Sequence, residues 1–318
     1  MKNQPIKIVV IILIGLALFS CKKEDPLQAH LTTYTTTEGL FNNYVNNIVI
    51  DPQGDLLVGC GSGFTANGFY EGGLSKFDGK NWVTYHKKDG LAMDWILSMA
   101  IDGQGITWIG TNGGGVSKFD GTNWTTFTRA DGLSGNEVWS IAIDEQGNKW
   151  FGTSAGLTKF DDENWKTYGT GQVMAIVIDS EGNKWLGTGS VGLWKLDEAE
   201  KLSRYIITGK EYNGLVVEIA IDNQGNKWCS NSVGVSKFDG TNWTTYTTED
   251  GLASDEVNCI KIDKQGNIWV GTNKGLSKFD GMAWTNYLPK LYVQTIVFDA
   301  LGNKWLGTQG DGVIEWKD

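Results

Sequence analysis

The sequence contains few histidines, cysteines and prolines. Its 318 residues include 2 His, 4 Cys and 4 Pro. Two histidines are too few to supply both a histidine base and a pair of metal ligands, so we expect no metal and no cofactor. The scarcity of proline beside 43 glycines is typical of one ordered domain with many tight turns. The formal net charge of −10 argues against nucleic acid as a partner.

The number and positions of the cysteines do not indicate a disulfide framework. Cys21 belongs to an N-terminal motif described below, which leaves the odd set of Cys60, Cys229 and Cys259. We therefore expect these three to be buried free thiols.

A repeat fills most of the chain. The segment from Ser140 to Tyr168 reads SIAIDEQGNKWFGTSAGLTKFDDENWKTY, and versions of it recur along nearly the whole sequence. A period of about 40 residues with four short strand-like pieces predicts propeller blades. Each copy contains one marker aspartate, and these are Asp51, Asp102, Asp144, Asp179, Asp222, Asp263 and Asp299. The predicted fold is an all-β, seven-bladed β-propeller with four antiparallel strands per blade.

The two ends of the repeat complement each other. The last copy stops at its third strand, whereas Leu31 to Val45 aligns without gaps on Trp243 to Val257. We expect the N-terminal strand to complete the last blade, which closes the ring and removes two sheet edges. The propeller is thus predicted over residues 31–318.

Residues 1–20 have the layout of a signal peptide, with lysines before the apolar run Ile8 to Phe19. The string LFSC that ends at Cys21 resembles the lipobox of bacterial lipoproteins, and the following KKED resembles a surface-export signal of Bacteroidetes lipoproteins. We expect residues 21–30 to be a lipidated N-terminus and short linker. This predicts a monomeric outer-membrane lipoprotein, facing the periplasm or the cell surface, that contacts the membrane only through its lipid anchor.

The recurring Asp-x-x-Gly-Asn string could be mistaken for a calcium loop. In the copy that begins at Asp144 it offers one suitably placed acid, too few for the ligand set that calcium needs. Asp, Asn and Gly are the residues that tight turns favour, so the string predicts a hairpin between the first and second strands.

Most tryptophans fall into two columns of the repeat, which we expect to pack blade on blade. Trp316 replaces a third-strand Phe and is also interpreted as structural, whereas Trp95, Trp139 and Trp194 lie outside the columns. The second-strand column is Trp108, Trp150, Trp185, Trp228, Trp269 and Trp305, and the fourth-strand column is Trp82, Trp124, Trp165, Trp243 and Trp284.

The start of the first strand varies between copies. The residue six positions before the marker aspartate is always Val or Ile, so we expect it to pack between blades while its neighbours face the central funnel. Aromatic platforms beside hydrogen-bonding groups suit sugars. Alternatively, these side chains merely plug the axis. The predicted ligand-binding ring is Tyr44, Asn46, Trp95, Glu137, Trp139, Glu256, Asn258, Tyr292 and Gln294.

The first copy has a longer connection between its second and third strands, from Cys60 to Gly73. Phe64, Phe69 and Tyr70 on this glycine-rich loop could fold over a ligand or cover the funnel permanently.

The strings Gly-Asn-x-Trp-x-Gly-Thr, Gly-Leu-Ser-Lys-Phe-Asp and Trp-Thr-Thr-Tyr followed by Asp-Gly-Leu resemble the two-component regulator propeller repeat over residues 31–318. In that family the repeats form extracytoplasmic sensors of hybrid kinases, often linked to carbohydrate use. They are usually followed by a β-sandwich, a membrane span and kinase modules. None of these follows here, so we expect sensing to need another protein.

The sequence also resembles streptogramin lyase propellers, whose chemistry uses a histidine base and a divalent metal in the funnel. We expect His30 and His86 to lie away from the funnel. Glu137 and Glu256 could act as a glycosidase acid and base, although nothing indicates a substrate cleft. The sequence therefore favours a non-enzymatic, ligand-binding lipoprotein that recognises a glycan. The alternatives are a protein-interaction scaffold with an envelope partner and, less favoured, a lyase or glycoside hydrolase.

Overall fold

The computed structural model describes residues 30–65, 68–190, 192–207 and 214–317. The predicted signal peptide and Cys21 lie outside these residues. Seven four-stranded antiparallel sheets follow one another along the chain, each running outward from its first strand. The seven-bladed propeller predicted from the repeat is confirmed.

The strands are numbered in chain order. Blade one contains β2 (Val45–Ile50), β3 (Leu56–Cys60), β6 (Gly73–Phe77) and β7 (Trp82–Tyr85). Blade two contains β8 (Ile96–Ile101), β9 (Thr107–Thr111), β10 (Val116–Phe119) and β11 (Trp124–Phe127). Blade three contains β12 (Val138–Ile143), β13 (Lys149–Thr153), β14 (Gly156–Phe160) and β15 (Trp165–Tyr168). Blade four contains β16 (Val173–Ile178), β17 (Lys184–Thr188), β18 (Leu193–Leu196) and β19 (Leu202–Tyr205).

Blade five contains β20 (Ile219–Ile221), β21 (Lys227–Asn231), β22 (Gly234–Phe238) and β23 (Trp243–Tyr246). Blade six contains β24 (Val257–Ile262), β25 (Ile268–Thr272), β26 (Gly275–Phe279) and β27 (Trp284–Tyr287). Blade seven contains β28 (Val293–Phe298), β29 (Lys304–Thr308), β30 (Val313–Trp316) and β1 (Leu31–Tyr34). The long connection of blade one forms a hairpin of β4 (Gly63–Thr65) and β5 (Gly68–Tyr70), and short 3-10 turns span Lys87–Asp89 and Thr248–Asp250.

The N-terminal strand closes the ring as predicted. β1 pairs with β30 from Leu31 opposite Trp316 to Tyr34 opposite Val313. The Tyr34 ring lies 5.8 Å from the ring of Trp305 in the same blade and 5.1 Å from Phe77 of blade one. This aromatic contact ties the last blade to the first.

The marker aspartate organises the hairpin between the first and second strands. In blade three, Asp144 Oδ1 accepts the backbone N–H of Asn148 at 2.8 Å, and Gly147 takes a left-handed φ of 81°. Asp144 Oδ2 accepts the indole N–H of Trp150 at 2.9 Å. The turn interpretation is therefore correct, and the aspartate also anchors the second-strand tryptophan. Blade one has Leu57 at that tryptophan position.

Cations flank the second-strand tryptophans. The Nζ of Lys159, in the same blade, lies 5.7 Å from the Trp150 ring, and that of Lys184, in the next blade, lies 4.7 Å from it. The rings of three other tryptophans are also each contacted by one lysine of the same blade and one of the next blade. These are Trp108, Trp185 and Trp269. Cation–π contact therefore joins neighbouring blades in addition to apolar packing.

The Val or Ile six positions before each marker aspartate is buried between blades, as predicted. Val173 is fully buried, and its side chain would lie 2.8 Å from a Cβ added to Gly152 of blade three. The glycine of the Trp-x-Gly-Thr string is thus required by close approach of the next blade. Blade five departs from this pattern with Ser230, whose Oγ accepts the N–H of Glu218 at 2.9 Å.

The three cysteines of the propeller, Cys60, Cys229 and Cys259, are free and buried, as the sequence predicts. Burial raises the pKa of the Cys60 and Cys259 thiols to about 12, so they stay protonated at neutral pH. Within the described residues, no helix has the length and hydrophobicity to cross a membrane.

Candidate functional site

The first strands of the blades surround a central funnel, a cavity of about 630 Å³. One residue from every blade reaches it from the same place in the repeat, five positions before the marker aspartate. These residues are Asn46, Leu97, Trp139, Met174, Val217, Asn258 and Gln294.

A β-bulge positions this residue in six of the seven blades. In blade three, Val138 pairs with Thr153 and Ser140 pairs with Gly152, so Trp139 has no partner in the ladder. A bulge bends a strand and changes the direction of a side chain. Here it lets Val138 stay buried between blades while Trp139 lines the funnel.

One side of the funnel is mainly apolar. Blades two to four contribute Trp95, Leu97, Met99, Trp139 and Met174. Trp95 is 37% exposed and therefore available at the rim. The indole N–H of Trp139 is buried and has no hydrogen-bond acceptor among the described residues. We call this wall the aromatic wall.

The other side carries the large polar and charged groups. Blades five to seven and blade one contribute Glu218, Asn258, Lys261, Gln294 and Asn46. We call this set the polar wall. Tyr292 of blade seven also lines the funnel and is 39% exposed.

Part of the polar wall holds blades together. Asn46 Nδ2 donates to the carbonyl of Ile96 in the next blade at 2.8 Å, and Asn258 Nδ2 donates likewise to Val293 at 2.9 Å. Gln309 Nε2 lies 3.3 Å from Asn46 Oδ1, to which it donates a hydrogen bond. The two asparagines predicted to bind ligand therefore also have a structural role.

An ion pair completes the polar wall. Lys261 Nζ lies 2.6 Å from Glu218 Oε1, and their side chains are 41% and 24% exposed, respectively. Burial disfavours the charged ammonium, but the Glu218 carboxylate outweighs this effect and raises the pKa of Lys261. Glu218 and Lys261 are the charged residues in the cavity lining of the described chain.

The sequence analysis missed this pair, although Lys261 has a detectable signal. Two positions before their marker aspartates, the other blades carry only Val or Ala: Val49, Ala100, Ala142, Val177, Ala220 and Val297. A lysine in that column is an exception that a comparison of the repeats could have found. Its partner could not be assigned, because Glu218 comes from a different blade.

The predicted ring is only partly assembled. Asn46, Trp95, Trp139, Asn258, Tyr292 and Gln294 line the funnel, whereas Tyr44, Glu137 and Glu256 do not. Glu256 is exposed at the rim and accepts a hydrogen bond from the Asn273 side chain. Burial first, and then the Glu256 carboxylate, raise the pKa of Tyr292.

The hairpin of blade one pairs Phe64 with Phe69 in its backbone register. The side chains of Phe64, Phe69 and Tyr70 lie outside the described part of the structure, so their predicted role stays a prediction.

The two histidines lie away from the funnel lining, as expected. The His86 ring packs 4.4 Å from the Phe41 ring, and His30 is exposed before β1. No cluster of three or more His, Cys, Asp or Glu side chains suited to a metal occurs in the described chain. Trp194 packs beside the core of blades three and four and is not a lining residue.

Comparison with known families gives two matches to the two component regulator propeller, at residues 132–155 and 251–274. Each match begins at the glycine of an Asp-Gly-Leu connection and continues past the second strand of a blade. No curated protein matches the sequence.

Several solved structures share the fold. One is the extracellular domain of BT3049 from B. thetaiotaomicron, assigned to a hybrid two component system, with a TM-score of 0.76, 21% identity and coverage of 90% of this chain and 41% of that one. PorZ of Porphyromonas gingivalis, a surface component of the type-IX secretion system, has a TM-score of 0.69, 16% identity and coverage of 86% and 46%. A streptogramin B lyase has a TM-score of 0.71, 13% identity and coverage of 90% and 97%.

The chain spans less than half of the BT3049 domain and of PorZ. At these identities the structural matches establish the fold alone. The two matches to the repeat model confirm the resemblance found in the sequence. The chain is a seven-bladed propeller in which two segments, one in blade three and one in blade six, match the two component regulator propeller.

Proposed function

We propose that the protein is a non-enzymatic, ligand-binding propeller of the bacterial envelope that recognises a glycan in its funnel. The observation that carries this proposal is the division of the funnel into an aromatic wall and a polar wall. A sugar ring has an apolar C–H face and a rim of hydroxyls, so it matches both walls at once.

The funnel has the size and the available groups for such a ligand. Its volume of about 630 Å³ lies within the usual range for small-molecule sites. At the aromatic wall, the Trp139 indole N–H is a donor without a partner among the described residues. This N–H lies beneath the cavity surface, so the group that the wall offers to a sugar is the partly exposed ring of Trp139 rather than its N–H.

The proposed envelope location rests on the predicted signal peptide and the lipobox that ends at Cys21. The BT3049 match, described as an extracellular domain, is consistent with this location. We propose an outer-membrane lipoprotein attached through Cys21.

The chemistry of the funnel supports binding rather than turnover. Among the described residues, neither histidine lines it, and Glu137 and Glu256 lie outside the lining. The raised pKa of Lys261 keeps this lysine protonated, which does not suit a general base.

A second candidate is a protein-interaction scaffold. Met282 and Leu301, in turns of neighbouring blades six and seven on the face opposite the funnel mouth, are 92% and 88% exposed. Two large apolar side chains in adjacent blades could contact an envelope partner. PorZ, which shares the fold, is described as part of a secretion system.

A titration tests the first proposal against the second. The purified protein is titrated with a panel of plant and host oligosaccharides that includes neutral and acidic members of equal length. Binding is followed by tryptophan emission and calorimetry, and the mixture is analysed for product. We expect saturable binding of at least one oligosaccharide without product.

The Trp95→Ala variant locates the site. Loss of this exposed platform should weaken binding about tenfold, whereas Met282→Ala on the opposite face should bind like the wild type. A silent panel would reject the glycan proposal and favour the scaffold, while product formation would reject a non-enzymatic role.

A further inference from the structure

We infer that the Glu218–Lys261 ion pair is the polar anchor of the funnel and selects a neutral glycan, with neighbouring hydroxyls of one sugar bound to the two charged groups. This inference rests on the proposed glycan function and adds the class of glycan.

The pair is both accessible and incomplete in its hydrogen bonding. Its two side chains are partly exposed, and among the described residues the hydrogen-bond partner of Lys261 Nζ is Glu218 Oε1, at 2.6 Å. An ammonium group has three donors and a carboxylate has about four acceptor positions. Each group can therefore form a hydrogen bond with a ligand in addition to the ion pair. The ion pair therefore offers a donor and an acceptor side by side.

Two neighbouring hydroxyls of a sugar fit this pattern. One hydroxyl can accept a hydrogen bond from Lys261, and the other can donate one to Glu218. Hydrogen bonds to charged groups are the stronger ones, so the pair is a favourable anchor. The ring of the same sugar would face the apolar side chains of blades two to four across the funnel.

An acidic sugar fits less well. A carboxylate that approaches Lys261 also approaches Glu218, because the two partners are in direct contact, and repulsion from Glu218 offsets the attraction of Lys261. The net charge of −10 adds a repulsive field for anions. No other charged side chain lines the described funnel to compensate for the repulsion of an anionic sugar.

The test compares a neutral and an acidic oligosaccharide of equal length from the panel, measured by calorimetry. The variants are Glu218→Gln, which leaves Lys261 unpaired, Lys261→Met, which leaves Glu218 unpaired, and the double variant, which removes both charges. Lys274→Met is the matched control, because this exposed lysine lies in the β25–β26 turn on the same face, outside the lining.

We expect the wild type to prefer the neutral oligosaccharide. Each single variant should bind it about tenfold more weakly, as expected for loss of one charge-assisted hydrogen bond. Glu218→Gln should gain affinity for the acidic oligosaccharide, because its lysine is no longer neutralised. Lys274→Met should keep the wild-type preference.

Different results reject different claims. If the wild type prefers the acidic oligosaccharide, or if all three funnel variants bind the neutral one as the wild type does, the anchor inference is wrong and glycan binding stands. If the wild type binds no oligosaccharide, the glycan function fails and the anchor with it. Unfolding midpoints identify a single variant that is misfolded. In that case the double variant, which has no unpaired charge, decides whether the ion pair contributes to binding of the neutral oligosaccharide.

Discussion

At the residue scale, the marker aspartate joins the first turn of a blade to its second strand, as Asp144 does by accepting hydrogen bonds from Asn148 and Trp150. Burial opposes ionisation of Asp144, but hydrogen bonds from Trp150 and Asn148 lower its pKa below the ordinary value of 3.8. The equivalent aspartates of four other blades have lowered pKa values for the same reasons, namely Asp179, Asp222, Asp263 and Asp299. Each of them couples folding to its own ionisation.

This coupling predicts acid sensitivity. A carboxyl whose pKa is lower in the folded chain stabilises the fold above its ordinary value of 3.8, and this stabilisation is lost as the pH falls through the folded pKa. Denaturant unfolding at pH 7, 4 and 3 should therefore show a falling midpoint. A midpoint that is constant or rises between pH 4 and 3 would contradict the role of these aspartates.

The Asp144→Asn variant isolates one copy. At pH 7 it should lose about 1–3 kcal/mol of unfolding free energy, because a charged acceptor of buried donors is replaced by a neutral one. The difference from wild type should shrink at pH 3. Glu145→Gln, an exposed neighbour in the same turn, is the control and should unfold like the wild type at both pH values.

At the element scale, the fit between blades depends on the glycine of each second strand. Gly152 of β13 faces Val173 of β16 so closely that an added Cβ would lie 2.8 Å from both the Val173 side chain and its carbonyl oxygen. Because backbone is involved, a rotamer change cannot relieve the contact. The bulge that follows Val173 in the same strand directs Met174 to the funnel.

Gly152→Ala should therefore destabilise the protein by about 1–3 kcal/mol through overpacking. Gly103→Ala is the matched control, since an added Cβ there meets nothing within 4 Å. Equal denaturation midpoints for the two variants would show that the blades separate easily at this contact.

The same scale shows what could be predicted from the sequence. Strand order, turns and the buried Val or Ile could be predicted because seven copies of one pattern repeat the same requirements for turn residues and for packing between blades. Trp95 and Tyr292 were predicted to lie at the rim of the funnel, and both side chains are partly exposed. Tyr44 occupies the same column but does not line the funnel, and its backbone forms an isolated antiparallel bridge with Gln309 of the last blade, a contact between blades that the repeat does not specify.

At the scale of the whole molecule, ring closure and the two-sided funnel are the properties that no single blade has. Closure depends on β1, whose Tyr34 contacts aromatic rings of the last and first blades. The Glu218–Lys261 pair likewise joins residues 43 positions apart, in blades five and six. Such pairings between blades are set by the closed ring and could not be assigned from the repeat alone.

Tyr34→Ala should weaken closure. Removal of a large aromatic side chain from the contact between the last and first blades should cost about 3 kcal/mol. Thr33→Ala, on the exposed side of the same strand, is the control. Thermal unfolding should show a lower midpoint for Tyr34→Ala only, and equal midpoints would mean that the ring does not depend on this contact.

The most direct test of glycan binding in the funnel is oxidative footprinting, read by mass spectrometry, with and without a saturating oligosaccharide from the panel. Trp95 and Tyr292 report on the two sides of the funnel mouth, and Met282, on the opposite face, is the internal reference. We predict that the oligosaccharide protects Trp95 and Tyr292 and leaves oxidation of Met282 unchanged. Undiminished oxidation of both funnel residues at saturation would contradict the account.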